Sequence, residues 1–290
     1  MGIDFEAAVV AAIERTATRA GGTLALCTFV VQFISAVGFD TEQAYLQRQL
    51  LSSVADALGR TSAAQLEQGR LAVARGALGL PASVPHWYGT VLAAVAAALG
   101  VAVTVVGLRT FSGAYSANVP RTAVAGLPSR TAHAVLGSVL FTSLVVGGLV
   151  LFVVPGVFLA LTLYFVTAAV AIEDESVFAG LRRSWELTAG NRLDSFLFVC
   201  LLAAVTISAT ITSTAVASVL GGAVADQAAL ASQLATATSP VARLASIAIT
   251  SVATVFTVAL TAVVFDQLRD ATGAGGRGDD LADIDPALLP

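Results

Sequence analysis

The sequence predicts an all-α fold, a polytopic membrane helix bundle of about six transmembrane helices with amphipathic helices at its interface. Three observations lead there. Hydrophobic residues make up 57% of the chain and charged residues only 12%, about half the share of a soluble domain. The mean hydropathy is +0.85. Long stretches carry no charge at all, among them residues 131–172. A water-soluble fold of this length would lack the polar surface to cover its core, so the solvent is lipid.

The first twenty residues place Phe5, Val9, Ile13 and Ala17 at helical spacing, with Asp4, Glu6, Glu14, Arg15 and Arg19 between them. Charges precede the apolar run and no cleavage site follows it, which excludes a secretory signal. The pattern predicts a short amphipathic helix on the inner surface. Spanning a core of roughly 30 Å needs about 20 apolar residues at 1.5 Å each. Six stretches meet that need: 22–38, 89–108, 131–153, 156–172, 195–220 and 244–265. The third and fourth come from the one uncharged run. As a single helix it would reach about 63 Å, twice the core. Pro155 and Gly156 lie near its middle, so a hairpin closed at Val154, Pro155 and Gly156 is expected there. A re-entrant pair of half-helices is the alternative, and it requires protein to shield the turn.

Residues 40–87 form a long external loop. Leu46, Leu50, Val54 and Leu58 recur four apart, and Leu66, Val73 and Leu80 follow before Pro81. Two helices are expected in it. Residues 1–266 read as a single membrane domain and 267–290 as an acidic, disordered tail. All fifteen basic residues are arginine. With the N-terminus inside, ten of them fall on the inner segments and five on the outer, which puts both termini in the cytoplasm of a plasma-membrane protein.

One stretch departs from this economy of charge. Between Glu173 and Asp194 lie eight of the thirty-four charged residues. Asp174 or Ser176 can cap a helix that ends before Gly190, and Val177, Phe178, Leu181 and Trp185 recur at three- and four-residue steps. An interfacial helix over 174–190 follows, with Trp185 at headgroup depth and Arg182, Arg183 and Glu186 off the apolar stripe. The arginines would face lipid phosphates or the acidic run Glu173, Asp174, Glu175. Gly180 and Ser184, one turn apart, leave room for a close helix neighbour.

The segment "PGVFLALTLYFVTAAVAIEDESVFAGLRRSWELTAGNR" resembles the signature of a family of multi-pass membrane proteins numerous in haloarchaea. That family is similar to the membrane domain fused to some bacterial glycerophosphoryl diester phosphodiesterases. The matching positions are Pro155, Gly156, Glu173, Leu181, Ser184, Trp185, Leu187, Gly190 and Asn191. "ERTATRAGGTLAL" is similar to the arginine-bearing start of the first span in haloarchaeal members. The resemblance implies a membrane bundle. It does not carry the phosphodiesterase activity, because that resides in a separate soluble barrel.

Three function classes follow. The first is a non-catalytic scaffold or membrane-organisation factor, with lipids, a second copy or another membrane protein as partner. The second is a transporter or permease-like subunit. The third is a membrane enzyme. The span interiors hold no Asp, Glu or Arg, and Gln32 is the one strongly polar side chain at depth, which argues against ion-coupled transport. An uncharged path could be lined by Ser208, Thr210, Thr212, Ser213 and Thr214, with Thr250, Ser251, Thr254 and Thr257. The same hydroxyls more simply serve helix packing. Cys27 and Cys200 lie alone in apolar runs, and His86 and His133 lack metal-ligand spacing. No cofactor, no metal and no nucleic-acid surface is expected, and no catalytic constellation is visible.

Overall fold

A computed structural model of the chain describes residues 3–58, 78, 84–112, 119–124, 126–173, 176–190, 192–220 and 240–282. Among these residues there are ten helices and no strand. In chain order they are α1 (Phe5–Thr16), α2 (Arg19–Leu58), α3 (Trp87–Phe111), α4 (Arg121–Val124), α5 (Leu127–Leu151), α6 (Val153–Thr162), α7 (Val166–Ile172), α8 (Val177–Ala189), α9 (Arg192–Leu220) and α10 (Pro240–Ala282). The fold is an all-α bundle. Among the described residues five segments are long and apolar enough to cross a membrane: Arg19–Leu46, Trp87–Phe111, Leu127–Leu151, Arg192–Ala217 and Pro240–Ala271.

The sixth expected span is where sequence and structure differ. Gly156–Ile172 is an apolar helical stretch shorter than the five spans, and it is interrupted. The chain breaks at Leu163, Tyr164 and Phe165, leaving α6 with ten residues and α7 with seven. At 1.5 Å per residue these reach about 15 Å and 10 Å, each well short of the core. No proline or glycine marks this break, so periodicity could not find it. The turn before it also lies slightly earlier than expected. Phe152 is extended (φ −158°, ψ 142°), and Pro155 is the third residue of α6, inside the first turn, where its missing N–H costs nothing. Gly156 sits behind it because a Cβ there would stand 2.5 Å from the Leu149 backbone nitrogen.

Two other boundaries move. The first span does not stop at Gly38. The helix continues through Leu58 and absorbs the first expected loop helix, Leu46 to Leu58. The second expected loop helix lies outside the described residues. At the other end α10 runs through Ala282, so the expected disordered tail is helical over 267–282. Extending an existing helix avoids the cost of a new nucleus, and Arg269 pairs with Asp266 and Asp270 along it. Residues 283–290 lie outside the described set.

Contacts gather into two units. Met1–Leu24, Val101–Val205 and Val255–Pro290 form the first; Ala25–Gly100 and Thr206–Thr254 form the second. The first has an aromatic core. Phe165 stacks on Phe198 at 5.5 Å between centroids and meets Phe265 at 6.2 Å, while Val105, Phe111, Leu187 and Leu260 are fully buried. Asp4 caps α1 by accepting from the Ala7 amide at 3.0 Å. That helix buries Ala8 and Ala12 and leaves Ile13 exposed, so its packed side is the small one.

The second unit is held by close approach and by polar contacts. A Cβ on Gly38 would fall 2.8 Å from the Ala93 nitrogen and the Gly89 oxygen, so α2 and α3 cross there nearly backbone to backbone. The Asp40 carboxylate pairs with Arg243 at 3.1 Å and accepts from the Leu78 amide at 3.0 Å.

Candidate functional site

The residues singled out by the sequence converge on α6, α7 and α8, all within the first unit. Helix α8 starts at Ser176, whose side chain accepts from the Ala179 amide at 3.4 Å. Asp174, the other candidate cap, lies outside the described residues, as does Asn191. Gly190 follows the helix as expected, yet its backbone is right-handed (φ −85°, ψ −20°) and a Cβ there would meet open space. Glycine is therefore not required at that position by conformation.

The packed side of α8 is Val177, Gly180, Ser184, Leu187 and Thr188. A Cβ on Gly180 would stand 2.8 Å from a methyl of Val170, which is why nothing larger fits. Ser184 lies beside the end of α6. There the chain break orphans the last carbonyls of that helix, and a buried carbonyl without a donor costs about 1–3 kcal/mol. The Ser184 hydroxyl donates to the Thr162 carbonyl at 2.7 Å and is completely buried. Thr188 reaches the same oxygen only at 3.4 Å, and its single proton is better placed on the Ser184 carbonyl at 2.9 Å. Ser184 is the true cap of the break.

Charge closes the other end of α7. Arg183 meets Glu173 through two contacts, 3.1 and 3.4 Å, with both side chains largely buried. Arg109 donates to the carbonyl of Ala171 in the last turn of α7, where a cation also opposes the negative end of the helix dipole. Arg15 does the same for the carbonyl of Phe111 at the end of α3. Sequence reasoning placed Arg109 by side of the membrane, and Arg15 also in the arginine-bearing start of the first span. Arginines just past an apolar helix were the available signal, and their capping role depends on where other helices end.

The opposite face of α8 is open. Phe178 is 78% and Trp185 44% exposed, so the apolar stripe is divided, with Val177 packed and these two rings open. In a lipid solvent the inside of a helix pair favours small residues and the outside can be large and apolar. Trp185 touches the ring of Phe158 edge-on at 5.7 Å, and the Arg192 guanidinium lies over that ring at 5.9 Å. Arg182 donates to Glu186 at 2.8 Å in an exposed pair, and this contact holds its guanidinium protonated more firmly than usual.

The polar side chains of the second unit meet each other instead. The Gln32 amide donates to Thr254 at 3.1 Å and accepts from Thr250 at 2.8 Å and Ser251 at 3.2 Å. Ser251 is closer to its own Ile247 carbonyl, at 2.6 Å, so Thr250 is the stronger donor to the amide. Of the remaining hydroxyls considered for a path, Thr210, Ser213 and Thr214 donate to carbonyls of their own helix. Among the described residues no group of three or more His, Cys, Asp or Glu could hold a metal ion.

No curated protein and no solved structure matches the chain. Residues 7–268, from within α1 into α10, match one family along almost the whole chain. By that match this chain belongs to the family described as a domain of unknown function, DUF7847.

Proposed function

We propose that this protein is a non-catalytic integral membrane scaffold, acting in membrane organisation or assembly through contacts with lipids, a second copy of itself or another membrane protein. One observation carries the reading. The polar groups that could do chemistry are engaged in holding helices: Ser184 on the broken end of α6, Arg183 on Glu173, Arg109 on the end of α7, and Thr250 on Gln32. A transporter with an uncharged Ser/Thr path would instead need hydroxyls aimed into an aqueous route, and several of these donate to their own backbone.

The likeness of Pro155–Arg192 to the membrane domain fused to glycerophosphoryl diester phosphodiesterases supports a role beside lipid enzymes rather than as one. A haloarchaeal source agrees with the arginine-only basic set and the pI of about 5.1. Both termini face the cytoplasm of the plasma membrane in this proposal, following the inner excess of arginine. The test replaces Arg183 alone by alanine, which leaves Glu173 without its partner, and follows folded protein in the membrane fraction. Reduced accumulation is expected. Normal accumulation with the loss of a transport or lipid-turnover phenotype would place a functional site there and overturn the scaffold reading.

A further inference from the structure

We infer that the open face of α8, formed by Phe178, Arg182 and Trp185 together with Arg192, binds the phosphate headgroup of an anionic membrane lipid. The inference rests on the scaffold reading and names the partner of one surface. Positions 178, 182 and 185 follow one another by single helix turns, so their side chains share a face. All three are exposed, Arg182 most of all, with its side chain 83% accessible. Arg192, also exposed, belongs to the same strip because its guanidinium lies over Phe158, the ring that Trp185 touches.

The opposite side of the helix is already occupied. Gly180 and Ser184 face α6 and α7, and Arg183 is held by Glu173. Among the described residues the open strip therefore has two guanidinium groups against one carboxylate, Glu186. Arg182 uses its Nε on that carboxylate and keeps the donors of its outer nitrogens, whose planar fork suits a phosphate. Charge alone would fit an acidic protein as well. Two exposed aromatic rings beside the arginines fit the boundary where acyl chains meet phosphates, which indole in particular prefers. An anionic phospholipid presents both chemistries at once.

The test uses the purified full chain in neutral detergent, with binding of phosphatidylglycerol and phosphatidylcholine compared by native mass spectrometry. Each arginine near such a surface is worth about fivefold in affinity for anionic lipid. The wild type should prefer phosphatidylglycerol by at least that factor, and Arg182→Gln with Arg192→Gln should reduce the preference to near unity. Arg243→Gln, in the second unit, should leave it unchanged. Phe178→Ser should weaken binding of both lipids while keeping the preference between them. The melting temperature in lipid-free detergent reports folding of every variant, and both glutamine exchanges lie at exposed positions. Equal affinity for the two lipids, or a preference that survives the double exchange, overturns the inference. Displacement of lipid by millimolar inorganic phosphate would also overturn it, in favour of a soluble anion. Because lipid preference is read on purified protein, its absence alongside normal membrane accumulation removes this partner and leaves the scaffold reading standing.

Discussion

The two units solve different problems with the same few polar residues. In the first, a helix is interrupted at Leu163–Phe165, and side chains from α8 and α3 are spent on backbone: Ser184 on the Thr162 carbonyl and Arg109 on Ala171 beyond the break. In the second, α2 and α10 carry no such interruption. There the side chains meet each other, Gln32 with Thr250 and Thr254, Asp40 with Arg243. Interrupted backbone recruits hydroxyls and guanidinium groups as caps. Continuous backbone frees them to fix which helix lies against which, and in what register.

Four tests would break or sharpen this contrast. The largest effect is expected at the crossing of α2 and α3 in the second unit. Gly38→Leu forces a side chain against backbone atoms 2.8 Å away that cannot rotate aside, at a cost of about 3 kcal/mol or more. Thermal unfolding in detergent should show loss of the folded peak. A near-wild-type melting point would mean that the crossing opens freely. Next comes Arg183→Gln, which leaves Glu173 charged and largely enclosed, at about 2 kcal/mol after allowance for its remaining exposure. Adding Glu173→Gln should restore much of that loss. If the double variant is worse than the single, the pair is not the reason for the effect.

Ser184→Ala should cost about 1–2 kcal/mol, because the Thr162 carbonyl keeps only the long contact to Thr188. Thr188→Val should cost less, since that proton already serves the Ser184 carbonyl. The reverse ranking in chemical denaturation would reassign the cap. The smallest change is expected for Gln32→Leu. Interhelical hydrogen bonds in membranes average about 0.6 kcal/mol, because partly unfolded helices find other partners. Its signature is specificity: cysteine pairs placed on α2 and α10 should cross-link in more than one register, where the wild type gives one.

Much of this architecture was readable from composition alone. Charge-free runs of about 20 residues locate the five long helices, and Ser176 and Gly190 bracket α8 to within a residue or two. The close-approach pair Gly180 and Ser184 was legible as well, being small residues one turn apart. Spacing alone did not say which part of the apolar stripe packs against protein. Val177 is buried, whereas Phe178 and Trp185 lie open, as does Ile13 on α1. With lipid as solvent there is no gain in hiding a large apolar side chain, so shape rather than oiliness decides which face packs. The break at Leu163 was illegible for another reason. It is stabilised by a residue 22 positions further on, and no local pattern records such a partner.

That distance has a consequence for how the protein is made. When α6 and α7 leave the ribosome, neither is long enough to settle across the bilayer alone, and the carbonyl of Thr162 has no donor. Its donor, Ser184, has still to be synthesised. The nascent hairpin must wait in a sheltered place, beside the insertion machinery or against α5, until the next helix arrives to complete it. A photo-cross-linker at position 162 should therefore reach the insertion machinery or α5 in chains halted just after Glu173, and α8 in those extended past Thr188.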